Sequence, residues 1–553
     1  MKKHKILALL LTAVLALSLL AGCGGSSGGS SSAPADNSSS ENTAAPAENN
    51  NETAAAQEAS EEQSERIMQL GTAQGSSTLD PINGYDYWYM LRYGVCETLM
   101  KFNMDMTPAP WLAAEMPTVS EDQLTWTVKI RDDAAFSTGE KLTAEKVKAA
   151  IERNYEKIAT AKAAFTMTEI AADGQTLTIT TETPSLLMPY LLADPAFVIY
   201  DTADLTDVAD KGPIGTGPFV FSAFDAVTHD VSVVRNDNYW GGKVMCAGID
   251  FHILADASTL NFALQNGELD GGYAVDVEFI NNYVNDPAFI AQTSSSTRTS
   301  FGFMNQNPGH VLQDEVLRQA VIRLMDREGV CHSLLYDQYI PGITPLTSAL
   351  PYGYDELNDI NAFDPAGAVK LLDEAGYVDK DNDGYRDMPD GSPLEISITT
   401  YANRVEMPLF ANTLWMAGDE IGLRFKVEDT DQSTAWNKLV AGEYDICEMS
   451  IAMATSGDPE NQLKTYFHSE GGYNKCGYAN PEVDALFDEL RGVSDVDGRI
   501  EIIKKIEQKL MDDSVALFLC YPVMNFVTKA NVAGVTSHTS DYYWVSKDTG
   551  FTD

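Results

Sequence analysis

Asp379–Asp390 reads DKDNDGYRDMPD, with acids at positions 1, 3, 5, 9 and 12 of a twelve-residue loop and glycine at position 6. Oxygen ligands at that spacing, with a glycine for the sharp turn, are what a calcium loop needs. Asp379, Asp381, Asp383, Asp387 and Asp390 are therefore candidate ligands for a structural calcium ion. Position 12 is Asp rather than Glu, which shortens the terminal bidentate ligand, so an acidic solvated turn is the competing reading. A second cluster is aromatic: Tyr85, Tyr87, Trp88 and Tyr89, with Arg92 one helical turn beyond Trp88. Aromatic walls suit amphipathic small ligands, and ordinary packing is the plainer use of the same rings. Arg92 either offers an anion contact or pairs with a nearby acid.

Bare transition-metal capture and hydrolysis are not signalled. The seven histidines are scattered, none at i, i+4 spacing, and the seven cysteines form no C-x-x-C pair. Cysteines such as Cys520 in ALFLCYP read as small buried hydrophobes. No G-x-S-x-G or H-E-x-x-H occurs, and GTGPF at Gly215–Phe219 lacks the Lys-Ser/Thr ending of a phosphate loop. An exported hydrolase is therefore a distant alternative.

The elements that must position these groups alternate in type. RIMQLGTA from Arg66 reads as a strand, and Tyr89–Met100 has helical spacing. Leu124–Ile130 alternates apolar and polar residues, the mark of a half-buried strand. Thr143 caps a helix over Ala144–Tyr155, and Asp173-Gly174 turns between short strands. Val231–Arg235 and Gly248–Leu254 are further strands, and Ser258–Asn266 is a helix ended by Gly267. Later come long helices at Asp314–Tyr336 and Pro365–Ala375, with strands at Leu394–Tyr401 and Leu423–Glu428. The alternation implies α/β layers, and 553 residues imply more than one subdomain.

The chain carries 81 acidic against 37 basic residues, a net charge of −44. That field repels phosphate backbones, so no nucleic acid partner is expected. It repels anionic headgroups as well, so no basic patch holds the chain to a membrane. The N-terminus supplies another means. Lys2, Lys3 and Lys5 precede the apolar run Ile6–Leu20, and Leu20-Ala21-Gly22-Cys23 follows. These residues resemble the signal peptide and lipobox of bacterial lipoproteins. The resemblance implies that residues 1–22 are removed and that Cys23 is lipidated, anchoring the chain outside a bacterial cell membrane. Residues 24–65 lack aromatic and basic residues and read as a disordered tether. At about 5–6 Å × √n, it would reach roughly 35 Å.

Several segments together resemble the extracytoplasmic solute-binding proteins of ABC importers, family 5, which include oligopeptide, dipeptide and nickel binders. They are SSTLDP at Ser76, GVCETLMKFN at Gly94, LTWTVKIRDDAAFSTGEKLTAEKVKAAIER at Leu124, IGTGPFVF at Ile214, RNDNYWGGK at Arg235 and YANPEVDALFDEL at Tyr478. The resemblance implies a non-enzymatic, monomeric receptor that delivers a small solute to ABC permease subunits. It further implies an α/β, two-lobed periplasmic-binding-protein-like (type II) fold, with a hinge and an extra small domain inserted in the first lobe. Mapped here, 66–299 would form the first lobe with its insertion, 300–520 the second lobe, and 521–553 a return to the first.

Two segments resemble the nickel and metallophore branch: GYDYWYMLRYGVCETL from Gly84, and TTYANRVEMPLFAN (Thr399–Asn412) taken with ATSGDPENQL (Ala454–Leu463). That likeness places Arg404, Asn403, Tyr401, Tyr85, Trp88, Tyr89, Arg92 and Thr455 as candidate ligand-binding residues. Arg404 follows a strand and offers a bidentate fork for a carboxylate, against the simpler reading of a surface ion pair. The aspartate that holds a peptide's amino terminus in the peptide binders falls on or near Thr455, where no acid stands. Peptides are therefore the alternative solute rather than the leading one. No cofactor is required, and a transition metal would enter only as part of the transported ligand.

Overall fold

One long mixed sheet organises the chain in the computed structural model, which describes residues 65–493 and 496–552. The signal-like segment, Cys23 and the tether up to residue 64 lie outside the described residues. The strand order is Phe425–Thr430, Ile396–Tyr401, Ile446–Ala452, Arg298–Met304, Ala516–Lys529, Gly271–Tyr273, Ile67–Thr72, Gly248–Ile253, Val231–Arg235 and Phe219–Phe224.

The strand Ala516–Lys529 joins the two halves. It runs 14 residues, is apolar almost throughout, and is buried along nearly all its length, as a strand covered on both faces should be. Ala516–Cys520 pair with the strand Arg298–Met304, and Val523–Lys529 pair with Phe289–Ser295. Pro522, which lacks an N–H, stands where pairing passes from one set of strands to the other. The chain crosses again at Ser296-Thr297, between Phe289–Ser295 and Arg298–Met304.

In the second half, Ile396–Tyr401 pairs in parallel with both Phe425–Thr430 and Ile446–Ala452. The connections are the helices Glu406–Glu420 and Gln432–Ala441. Phe410, Ala411 and Leu414 of the first helix pack with Ile396, Ile398 and Phe425 in one buried cluster. In the first half, a separate four-stranded sheet is built from Thr118–Val119, Thr125–Lys129, Thr176–Thr181 and Met167–Asp173. Helix Ala144–Lys157 accompanies it, capped by the Thr143 hydroxyl, which accepts from Lys146 N.

Two expected helices take other forms. The segment at Tyr89 continues a helix that spans Asp86–Arg92 and stops there, and Met100–Phe102 is a strand. Gly94, at φ +67, ends the helix where a Cβ would meet Phe219 and Val545 at 3.0 Å. The helix expected over Asp314–Tyr336 breaks after Glu315–Arg323, because the Asp326 carboxylate caps a new turn by accepting from Gly329 N at 2.8 Å.

The loop Ala454–Asp458 brings the halves together. Arg499 grips Asp458 with two hydrogen bonds of 2.8 and 2.9 Å, both residues being buried. On the other side, the Tyr542 hydroxyl donates to Thr455 O at 3.0 Å. Gly457, at φ +82, sits so close that a Cβ would meet Met106 O and Tyr190 at 2.7 Å and Phe102 at 3.0 Å. Gly457→Val should therefore push the halves apart without unfolding either. The expected result is a larger radius of gyration in small-angle scattering with unchanged far-UV circular dichroism. Equal radii would remove this loop as the contact that holds the halves together.

Candidate functional site

A cavity of about 620 Å³ lies at the crossings, lined from both halves. The end of strand Ile67–Thr72 contributes Thr72, and helix Asp86–Arg92 contributes Trp88, Tyr89 and Arg92. The crossings contribute Ser296, Thr297, Arg298 and Pro522. From the second half come Arg404, in the turn between strand Ile396–Tyr401 and helix Glu406–Glu420, and Ala452 and Thr455. The C-terminal segment supplies Thr539, Asp541, Tyr542 and Trp544.

One wall is an aromatic box around a charge pair. The Arg92 guanidinium lies 4.8 Å from the Tyr89 and Trp544 ring centres and 5.3 Å from that of Trp88. Its Nε donates to Asp541 O at 2.9 Å, and its Nη2 bonds the Asp541 carboxylate. Burial is the largest influence and would depress this guanidinium, but Asp541 together with Tyr89, Tyr273 and Tyr542 outweighs it and holds the group above its ordinary value. Asp541 also accepts from the Tyr273 hydroxyl and from Trp544 Nε1. Of the two readings of Arg92, pairing with an acid is the one this geometry realises. Trp88 stacks edge-on to Tyr542 at 5.3 Å, and Tyr85, 64 % exposed, forms the outer lip against Trp88.

The other wall is cationic and open. Among the described residues, the Arg404 side chain makes no hydrogen bond or ion pair, so the surface-pair reading finds no partner. Arg298 donates Nη1–H to Ser450 O at 2.7 Å and, among the described residues, has no carboxylate within ion-pair distance. Burial, and next the charge of Arg404, push Arg298 down to about 10. Below them lie two buried acids. Glu406 accepts from the Ser300 hydroxyl at 3.0 Å and the Tyr339 hydroxyl at 3.1 Å. Glu448 accepts from Thr400 at 2.7 Å, and burial raises its carboxyl well above the ordinary range.

Of the eight candidates, Arg404, Tyr85, Trp88, Tyr89, Arg92 and Thr455 line this cavity. Tyr401 and Asn403 do not. Tyr401 is fully buried behind the wall, its hydroxyl accepting from Ser450 N at 3.2 Å. Asn403 faces outward and bonds Gln432 at 2.8 Å. Tyr401 ends the strand and Asn403 lies in the turn after it, so of these three residues Arg404 is the one that lines the cavity. Tyr87 is buried and bonds Thr160 at 3.1 Å, away from the cavity. Thr455 accepts from Gln462 Nε2 at 3.1 Å.

Arg298 and the C-terminal segment Thr539–Trp544 were not candidates from sequence. The run DYYW at Asp541–Trp544 is the one signal that marked the latter. The lining holds no histidine or cysteine, and its one carboxylate, Asp541, is committed to Arg92, Tyr273 and Trp544.

The acidic loop lies elsewhere. Carboxylate oxygens of Asp379, Asp381 and Asp387 come within 4.8 Å of one another. The other two expected ligands turn away: Asp383 pairs with Arg424 at 2.6 Å, and Asp390 accepts from Ser392 N and Oγ.

Comparison with known proteins gives consistent relatives. The family model described as bacterial extracellular solute-binding proteins, family 5 (middle), matches residues 107–474. The nickel-binding protein NikA of Staphylococcus aureus is 25 % identical over 395 residues, 71 % of this chain and 77 % of that protein. The oligopeptide-binding protein AppA of Bacillus subtilis is 25 % identical over 61 % of this chain and 62 % of its own length. A crystal structure titled as a nickel ABC transporter from Bacillus halodurans superposes with a TM-score of 0.77 at 27 % identity, over 88 % of this chain and all of that one.

The Arg92–Asp541 pair yields a test. Asp541 has φ +63, a conformation asparagine tolerates, so Asp541→Asn removes charge with little backbone strain. It should cost about 2 kcal/mol of stability, because a buried guanidinium loses its counter-charge. Urea unfolding followed by tryptophan fluorescence would read this, and an unchanged midpoint would refute it.

Proposed function

The chain belongs to the bacterial extracellular solute-binding proteins of family 5, receptors of ABC importers rather than enzymes. On that premise, we propose that it captures a small carboxylate-bearing solute, foremost a metal chelate, between its two lobes and hands it to an ABC permease. Members of the family are extracytoplasmic, and no helix among the described residues is long and apolar enough to cross a membrane. Lipidation at Cys23 is the proposed means of anchoring.

Arg404 carries the reading. It lines the cavity as a planar fork with no side-chain partner among the described residues, in a chain with more than twice as many acids as bases. An arginine left unpaired amid so many carboxylates is reserved for a carboxylate that arrives with the ligand. The chelate is favoured over the bare metal because imidazole and thiolate are missing from the lining. It is favoured over a peptide because the lining's one carboxylate is already held, which leaves an incoming ammonium without a partner. A peptide remains the second reading, since relatives on both the nickel and the oligopeptide sides match.

Two experiments test this. Arg404→Ala should weaken binding of nickel chelates by roughly 2–5 kcal/mol in calorimetry, through an anion left desolvated and unpaired. Arg404→Lys should recover only part, since a point charge cannot reproduce the fork. Equal affinities for wild type and Arg404→Ala would sink the assignment. Separately, Cys23→Ser should move the protein from the membrane fraction to the medium or periplasm with its fold intact. Retention in the membrane would refute the anchor.

A further inference from the structure

Arg298 is the part of the cavity that the fold does not account for. It begins the strand Arg298–Met304, directly after the crossing at Ser296-Thr297, and its side chain lines the cavity. A guanidinium has five N–H donors, and the one protein hydrogen bond from this one goes to Ser450 O. The carboxylates whose charges reach it are already committed. Glu406 is held by Ser300 and Tyr339, and Asp541 is held by Arg92. The remaining charge nearby is of the same sign, Arg404.

Two guanidinium groups thus share one partly dry space and, among the described residues, have no ion-pair partner of their own. A single carboxylate can satisfy one fork. Once the cavity excludes water, the second fork would remain desolvated and unpaired, a costly arrangement. Two carboxylates on one solute would satisfy both.

We propose that Arg298 is a second anion anchor and that the solute is a dianion, with one carboxylate on Arg404 and the other on Arg298. The inference rests on the carboxylate reading above and adds the second charge and the residue that selects for it. Monocarboxylates, including simple peptides, leave Arg298 unmatched and are discriminated against for that reason. Arg298 also differs from Arg404 in its place. It extends from the crossing itself, so the second carboxylate ties the solute to the segment about which the lobes must move.

The test is calorimetry with nickel loaded on chelators of the N-(carboxyalkyl) amino acid class. Each is paired with a form in which one uncoordinated carboxylate is converted to an amide. Wild type should bind the dicarboxylates at least about thirtyfold tighter than their monoamides. Arg298→Gln, which keeps a donor for Ser450 O, should weaken the dicarboxylates and relieve the monoamides of an unmatched guanidinium, erasing most of that preference. Arg298→Lys should restore part of it, and a thermal melt checks that both variants fold. Equal binding of the two forms by wild type, with both still dependent on Arg404, would overturn the dianion and leave the carboxylate reading standing. Binding indifferent to Arg298 and Arg404 alike, or no binding of any chelate at millimolar concentration, would overturn both.

Discussion

The two halves of this protein share a strand, and that constraint places the cavity. Ala516–Lys529 is hydrogen-bonded to one set of strands at its start and to another at its end. Neither half can leave it without losing a ladder of backbone hydrogen bonds in a buried setting, where each unpaired group is costly. Relative motion must then be taken up where pairing changes hands, at Pro522 and at Ser296-Thr297. The cavity lies against both. Residues from both halves line it for the same reason.

Charge decides what such a cavity can hold. The chain is strongly acidic, yet two cations stand in the cavity without an ion-pair partner among the described residues. At physiological ionic strength, the surface field decays over about 8 Å, whereas a pair inside the cavity is screened far less. The long-range field therefore disfavours an anionic solute only weakly, and the local guanidinium groups dominate once it arrives. Among the described residues, these two arginines are the cations of the cavity without an ion-pair partner.

Arg92 shows the opposite use of the same side chain. Enclosed by Trp88, Tyr89 and Trp544 and held by Asp541, it has little left to offer a ligand. Its work is to fix the C-terminal segment against the first lobe. That places Tyr542 so that its hydroxyl reaches Thr455 O across the cleft. Three arginines in one cavity thus divide into one that builds the wall and two that line the cavity without an ion-pair partner among the described residues.

Much of the fold was legible in the sequence, because its signals are local. The cap at Thr143, the turn at Asp173-Gly174 and the alternation in Leu124–Ile130 depend on neighbours within a few residues. The helix break at Asp326 was missed although its cap is equally local, because the apolar periodicity runs straight through it. Gly94 was missed because the close approach that ends the helix involves Phe219 and Val545, far along the chain. The site divides in the same way. Sequence singled out Arg404, the aromatic cluster and Thr455, whose segments carry recognisable patterns. It could not tell that Arg92 would be consumed by an aspartate 449 residues away, or that Arg298, in an unremarkable run of serines and threonines, would be left without one. Whether a charge is spent or free is a property of what surrounds it in three dimensions, so the tertiary structure alone decided which arginines have an acidic partner among the described residues.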